Sequence, residues 1–121
     1  MQDYGITATF LVKIKNFDYQ VQKLYAMIAT KYKHAKLTHT SEDNIKTREL
    51  KFGYLITIGK PDLMSVFSAK KLKHGFMAYD YNIYIFQNGE ATLRIAPRKF
   101  PKALQDQKDI CDIINSAFPD D

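Results

Sequence analysis

The strongest constraint on the fold is an Asn-Gly pair between two apolar, β-branched runs. Residues 83–86 (Ile-Tyr-Ile-Phe) precede Asn88 and Gly89, and residues 91–95 (Ala-Thr-Leu-Arg-Ile) follow them. Asn-Gly tolerates the positive φ angles of a tight turn, so this pattern predicts a β-hairpin. Pro97 lacks the N–H that a sheet ladder needs, and it is expected to end the second strand.

A period-two pattern near the start of the chain predicts another strand over residues 5–15. Ile6, Ala8, Phe10, Val12 and Ile14 would point toward a core. Thr7, Thr9, Leu11, Lys13 and Lys15 would point the other way. Such alternation is typical of a strand with one buried face. Residues 35–41 and 45–58 predict two more strands, joined by a polar turn at residues 41–44.

Two longer segments have helical periodicity. Residues 17–33 follow a candidate N-cap at Asn16, and the apolar stripe of this helix is Val21, Leu24, Tyr25, Ile28 and Tyr32. Residues 101–118 predict a final helix whose inward side chains would be Leu104, Ile110, Cys111, Ile114, Ala117 and Phe118. Asp106, Asp109 and Asp112 are expected to face water. A short helix is expected over residues 61–75, from Pro61 to Gly75.

These elements predict an α+β fold in a single domain spanning residues 1–121. The expected architecture is a curved antiparallel sheet of about five strands with two longer helices on one face and a short inserted helix. The opposite face of the sheet would then be exposed or bound to a partner.

Charge favours a polyanionic partner. The chain of 121 residues has 18 Lys and Arg against 13 Asp and Glu, a net charge of +5. A basic surface attracts nucleic acid first, although a solvated lysine-rich surface would give the same composition.

Other classes of protein are disfavoured by the sequence. A single cysteine, Cys111, excludes an internal disulfide framework and a cysteine-based zinc site. No apolar run reaches the length of a membrane span, and no signal peptide is visible. We therefore expect a cytoplasmic, nucleoid or nuclear protein that is not secreted and has no membrane contact.

The sequence has no recognisable catalytic motif. The three histidines, His34, His39 and His74, do not have metal-ligand spacing. The glycines are scattered and form no phosphate-binding loop. We expect no enzyme activity, no bound metal and no cofactor.

Two phenylalanines in strand-like segments could serve as wedges. Phe52 stands in residues 51–58, and Phe86 stands just before the Asn-Gly turn. Buried core positions are the alternative for both. An apolar side chain on a sheet that also carries threonine and lysine suits a protein that lies on a nucleic-acid groove and opens a base step.

Three segments of the chain resemble one repeat of the TATA-binding-protein family. They are residues 6–10, residues 51–56 with Phe52, and residues 85–96 with Phe86. The resemblance implies that the concave sheet reads the minor groove and that both phenylalanines insert at a base step. It places these residues on the concave face: Thr7, Thr9, Phe52, Tyr84, Phe86, Thr92 and Arg94.

The chain also departs from that family. It holds one repeat where the family joins two, so a saddle would require a homodimer. Residues 61–75 are an insertion relative to the family, Gly5 replaces an expected asparagine, and Arg94 replaces a small side chain.

Two other likenesses share the implication of an open β-face that binds nucleic acid. One is to the double-wing DNA-binding domain of a phage middle-promoter activator. The other is to a ferredoxin-like fold, because residues 5–86 follow a βαββαβ order and residues 12–17 resemble the first RNA-recognition-motif signature. Lys13 stands where that signature has a stacking aromatic residue.

The sequence therefore predicts a non-catalytic nucleic-acid-binding module, with DNA as the expected ligand. Expected contact residues are Thr7, Thr9, Lys13, Lys15, Lys51, Phe52, Lys70, Lys71, Lys73, Tyr84, Phe86, Thr92, Arg94, Arg98 and Lys99. One alternative is a protein-interaction module or small inhibitor that uses the same aromatic and basic surface. Another is a small-molecule binder with a pocket lined by Tyr79, Tyr81 and Tyr84.

Overall fold

One antiparallel sheet organises the chain. The computed structural model describes residues 6–44, 49–59, 79–96 and 102–119. The sheet order is β1-β5-β4-β3-β2. Its strands are β1 (Ile6–Leu11), β2 (Lys36–Asn44), β3 (Glu49–Ile58), β4 (Tyr81–Phe86) and β5 (Glu90–Ile95), and its helices are α1 (Phe17–Lys31) and α2 (Ala103–Ala117). The predicted α+β class is confirmed, and the short helix predicted over residues 61–75 lies outside the described residues.

The Asn-Gly hairpin is confirmed as the turn between β4 and β5. The connection is residues 87–89, with Gly89 at φ +94°. The Gly89 N–H donates to the Phe86 carbonyl at 2.9 Å, and the Glu90 N–H donates to Asn88 Oδ1 at 2.9 Å. A three-residue hairpin loop commonly ends with a glycine of positive φ, which other side chains rarely adopt.

The first strand is shorter than its alternating sequence suggests. β1 ends at Leu11, opposite Glu90, the first residue of β5, and beyond this pair only the Val12 N–H donates to the turn, at the Gly89 carbonyl (2.8 Å). The next residues turn toward α1 and are held by Gln20, whose side chain is buried. Gln20 Nε2 donates to the Lys13 carbonyl, and its Oε1 accepts from the Lys15 and Asn16 N–H groups at 3.0 and 3.1 Å. The prediction of a strand through residue 15 is therefore wrong.

The polar segment at residues 41–44 is a strand and not the predicted turn. It continues β2, with Ser41 opposite Phe52 and Asn44 opposite Glu49. β2 is an edge strand of the sheet, a position where polar residues are common. In the same register, Glu42 lies opposite Lys51.

Both helices pack on one face of the sheet. Val21, Leu24 and Ile28 of α1 are fully buried, as the helical stripe predicts. They form one apolar core with Ile110 and Ile114 of α2 and with alternate residues of the central strands: Ile56, Ile58, Tyr81, Ile83, Ile85, Ala91, Leu93 and Ile95. Burial of each large aliphatic side chain contributes about 1.5–3 kcal/mol.

The buried stripe of α2 differs from the prediction in the first turn of the helix. Ala103, Asp106, Ile110, Ile114 and Ala117 are buried, whereas Leu104, expected inside, is exposed. Asp106, expected in water, is 3% exposed. The spacing from Ala103 to Ile110 places residue 106 on the core side, and the Tyr81 hydroxyl donates to the Asp106 carboxylate there.

Candidate functional site

The outer face is the sheet surface opposite the two helices. Side chains directly opposite on paired strands share a face, as do alternate residues along one strand. The register therefore aligns two rows of side chains across all five strands. The first row is Lys36, Thr57, Asn82, Arg94 and Thr7, and the second is Thr38, Leu55, Tyr84, Thr92 and Thr9.

Threonine dominates this outer face. Six threonines lie on it: Thr7, Thr9, Thr38, Thr40, Thr57 and Thr92. Thr7, Thr9 and Thr38 are exposed, and Leu11 at the end of β1 is 78% exposed. Solvent thus reaches the outer face along both of its edge strands, β1 and β2.

The centre of the outer face is buried, which corrects the expectation of a bare surface. Thr57 and Asn82 are buried, and Phe86 is only 5% exposed. The Phe86 ring stacks on Tyr84, with ring centroids 6.4 Å apart. Phe86 lies on the expected face, next to the hairpin turn, but its ring is not available as a wedge in this conformation.

The two candidate wedges lie on opposite faces of the sheet. Gly53, not Phe52, is directly opposite Phe86, so Phe52 shares the helix side with Tyr54 and Ile56. Phe52 is 52% exposed there. A Cβ at Gly53 would come within 2.8 Å of Phe86 Cα, so the close approach of β3 and β4 requires glycine at this position. The expected placement of Phe52 on the concave face is therefore wrong.

Lys51 is engaged in an ion pair on the outer face. Lys51 Nζ lies 2.6 Å from Glu90 Oε2 and 5.9 Å from the Phe86 ring centroid. The hydrogen bond from Lys51 is the main cause that lowers the pKa of Glu90. A phosphate would therefore compete with Glu90 for Lys51. Sequence reasoning missed Glu90, although its alternation with Thr92 and Arg94 places it on this face.

The other residues predicted to contact nucleic acid lie in three parts of the chain. Thr92, Arg94 and Tyr84 lie on the outer face and are half-buried. Lys13 and Lys15 are exposed but belong to the connection between β1 and α1, beyond the sheet. Lys36 is an outer-face cation that sequence reasoning missed, although it alternates with Thr38 and Thr40. Five predicted contacts lie outside the described residues: Lys70, Lys71, Lys73, Arg98 and Lys99.

The tyrosine-lined pocket expected for a small-molecule binder is not formed as predicted. Tyr81 is buried on the helix side, whereas Tyr84 lies on the outer face. Tyr81 instead faces Tyr32, with ring centroids 5.8 Å apart, beside a cleft of about 390 Å³. Burial, and then the nearby Asp106 and Asp109 carboxylates, raises the pKa of Tyr32 to about 12.

No protein-family model, curated protein or solved structure matches this chain. Within the described ranges, no three His, Cys, Asp or Glu side chains come together as a metal site. No helix in the described part of the chain is long and apolar enough to span a bilayer. Function must therefore be inferred from the outer face itself.

Proposed function

We propose that this chain is a non-catalytic nucleic-acid-binding module that uses the outer face of its sheet, with duplex DNA as the ligand. The observation that carries the proposal is the register, which places Thr7 opposite Arg94 and Thr9 opposite Thr92 on the face away from both helices. Lys36 extends the first row to the opposite edge of the sheet.

The chemistry of these rows suits a nucleic-acid groove. Threonine hydroxyls can donate to phosphate oxygens or pair with base edges, and the threonine methyl groups can contact sugars. Arginine and lysine supply charge-assisted contacts to phosphate. The exposed Leu11 provides an apolar group at the rim, a role first expected of Phe86. The net charge of +5 adds general attraction to a polyanion.

From the resemblance to the TATA-binding-protein family the proposal keeps the open sheet face that meets a groove, but not the pair of phenylalanine wedges, because Phe52 lies on the helix side. That resemblance implies an opening strand, an amphipathic helix, a long strand, a hairpin and a final helix, and these elements occur in this order. Two copies would be needed to form a saddle. The edge strands β1 and β2 are the places where a second sheet could add.

The test is fluorescence anisotropy with labelled duplex DNA, single-stranded DNA and RNA over a salt series. Two exposed lysines provide a matched pair, Lys36 on the outer face and Lys23 on α1. Lys36→Gln is expected to weaken duplex binding and to reduce the salt slope by about one, because one phosphate contact is lost. Lys23→Gln should leave the slope unchanged.

Equal effects of the two substitutions would show that net charge, and not the outer face, controls binding. Micromolar or weaker affinity for all three nucleic acids at low salt would remove the proposal. Co-purification of one defined protein, without affinity for nucleic acid, would favour a protein-interaction module.

A further inference from the structure

A groove of about 360 Å³ opens at the end of the sheet where α1 begins. Its aromatic side chains lie on the helix side, and Thr40, Gly53 and Gln87 complete its lining at the strand ends. Its walls carry the side chains of Phe17 and Asp18 from α1, His39 from β2, and Phe52 and Tyr54 from β3. The proposed nucleic-acid interface does not use these side chains.

Aromatic rings converge in this groove. The Tyr54 ring centroid lies 5.6 Å from that of Phe17 and 4.7 Å from that of His39, with interplanar angles of 41° and 36°. Phe52 follows on the same side of β3 and is half exposed. The faces of aromatic rings carry partial negative charge and attract cations, so clustered rings form a favourable environment for an ammonium or guanidinium group.

One carboxylate adds a full negative charge to the rings. Among the described residues that line the groove, Asp18 is the one Asp, Glu, Lys or Arg. The Tyr54 hydroxyl donates to Asp18 Oδ1 at 3.0 Å, and this bond is the main cause that raises the pKa of Tyr54. A carboxylate has four acceptor positions, so Asp18 can still receive N–H donors from a ligand. In a chain of net charge +5, this groove therefore combines ring faces with a carboxylate.

We propose that this groove binds an arginine or lysine side chain from an extended segment of a partner protein. A free cation would leave apolar surface of the groove uncovered, since Phe52 is 52% exposed. A protein segment covers such surface. His39 lies on β2, an edge strand, and an extended segment can pair with such an edge while one side chain enters a neighbouring pocket.

The two proposed binding sites are separate. The rings and the carboxylate of the groove lie on the helix side of the sheet, and the proposed nucleic-acid contacts Lys36, Thr7, Thr9 and Arg94 do not line it. The protein could therefore hold a nucleic acid and a basic protein segment at the same time, and each site can be tested without the other.

The experiment is an amide NMR titration of the full chain with a capped pentapeptide, Gly-Ser-Arg-Ser-Gly, and with its glutamine counterpart. The arginine peptide is expected to shift amides at residues 17–18, 39–40 and 52–54, and the glutamine peptide should not. Asp18→Asn is expected to weaken binding at least about fivefold, because a charge-assisted contact is lost. The control is Asp112→Asn, which removes the same charge from an exposed position on α2.

Three outcomes would overturn the proposal: equal shifts with both peptides, shifts outside the groove, or equal losses from Asp18→Asn and Asp112→Asn. The amide spectrum of each variant also reports whether it is folded. Retained DNA binding in Asp18→Asn would show that the two sites are independent.

Discussion

At the residue scale, the buried Asp106 is the feature that most needs explanation. A carboxylate that is almost fully removed from water requires donors, and the Tyr81 hydroxyl supplies one. Burial and this hydrogen bond both raise the pKa of Tyr81, so the phenol stays protonated and remains a donor. Tyr32 is nearby, but its buried hydroxyl has no hydrogen-bond partner among the described residues. The hydroxyl groups of Tyr81 and Tyr32 are therefore expected to contribute differently to the free energy of unfolding.

Two hydroxyl deletions test this difference. Tyr81→Phe is expected to lower the free energy of unfolding by about 2 kcal/mol, because the buried carboxylate loses a donor. Tyr32→Phe should change it by less than about 0.5 kcal/mol or increase stability, since its hydroxyl makes no bond to lose. Urea denaturation of both variants provides the comparison, and equal losses would contradict the assignment.

The Lys51–Glu90 ion pair predicts a pH dependence. Because the folded protein lowers the pKa of Glu90 from 4.5, the pair stabilises the fold above that value and is lost as pH falls through the lowered pKa. NMR titration of the Glu90 side-chain carboxyl should report a pKa below 4.5 in the native chain. In Lys51→Gln the value should return toward 4.5, and an unchanged pKa would show that another group is responsible.

At the scale of elements, local patterns predicted much of the fold. The alternation of Thr7 and Thr9 with Ala8 gave the correct faces of β1, and Asn88-Gly89 marked the correct hairpin, because both signals depend only on neighbouring residues. Strand ends were predicted less well. β1 stops where β5 offers no partner, and β2 continues through polar residues because β3 pairs with them. The ends of these strands are therefore set by pairing with segments that are distant in the sequence.

The close pairing of β3 and β4 requires that residue 53 has no side chain. Gly53→Ala is expected to cost about 2 kcal/mol, because its Cβ would press on the backbone at Ile85 and Phe86 and force the strands apart. Thr40→Ala, at the β2 position opposite Gly53, is the control and should change stability by less than about 0.5 kcal/mol. Thermal unfolding of both variants tests the point, and similar melting temperatures would contradict it.

At the scale of the whole molecule, the proposed nucleic-acid site uses the outer face of the sheet, and the proposed site for a basic protein segment uses rings on the helix side. The sequence alone predicts the face of four outer-face residues, because alternate residues of a strand lie on the same face of the sheet. They are Thr7, Thr9, Thr92 and Arg94. The opposite placement of Phe52 and Phe86 could not be read from sequence. It depends on the register between β3 and β4, which pairs Gly53 with Phe86. Burial at the centre of the outer face likewise depends on three-dimensional packing.

The central claim is that nucleic acid binds the outer face, and threonine methyl groups report on it directly. Thr7, Thr9, Thr38 and Thr92 lie on that face, whereas Thr30 is exposed on α1. In a methyl NMR titration with duplex DNA, the outer-face methyl signals should shift together and the Thr30 signal should stay in place. A shift of Thr30 with unchanged signals from Thr9 and Thr92 would contradict the account.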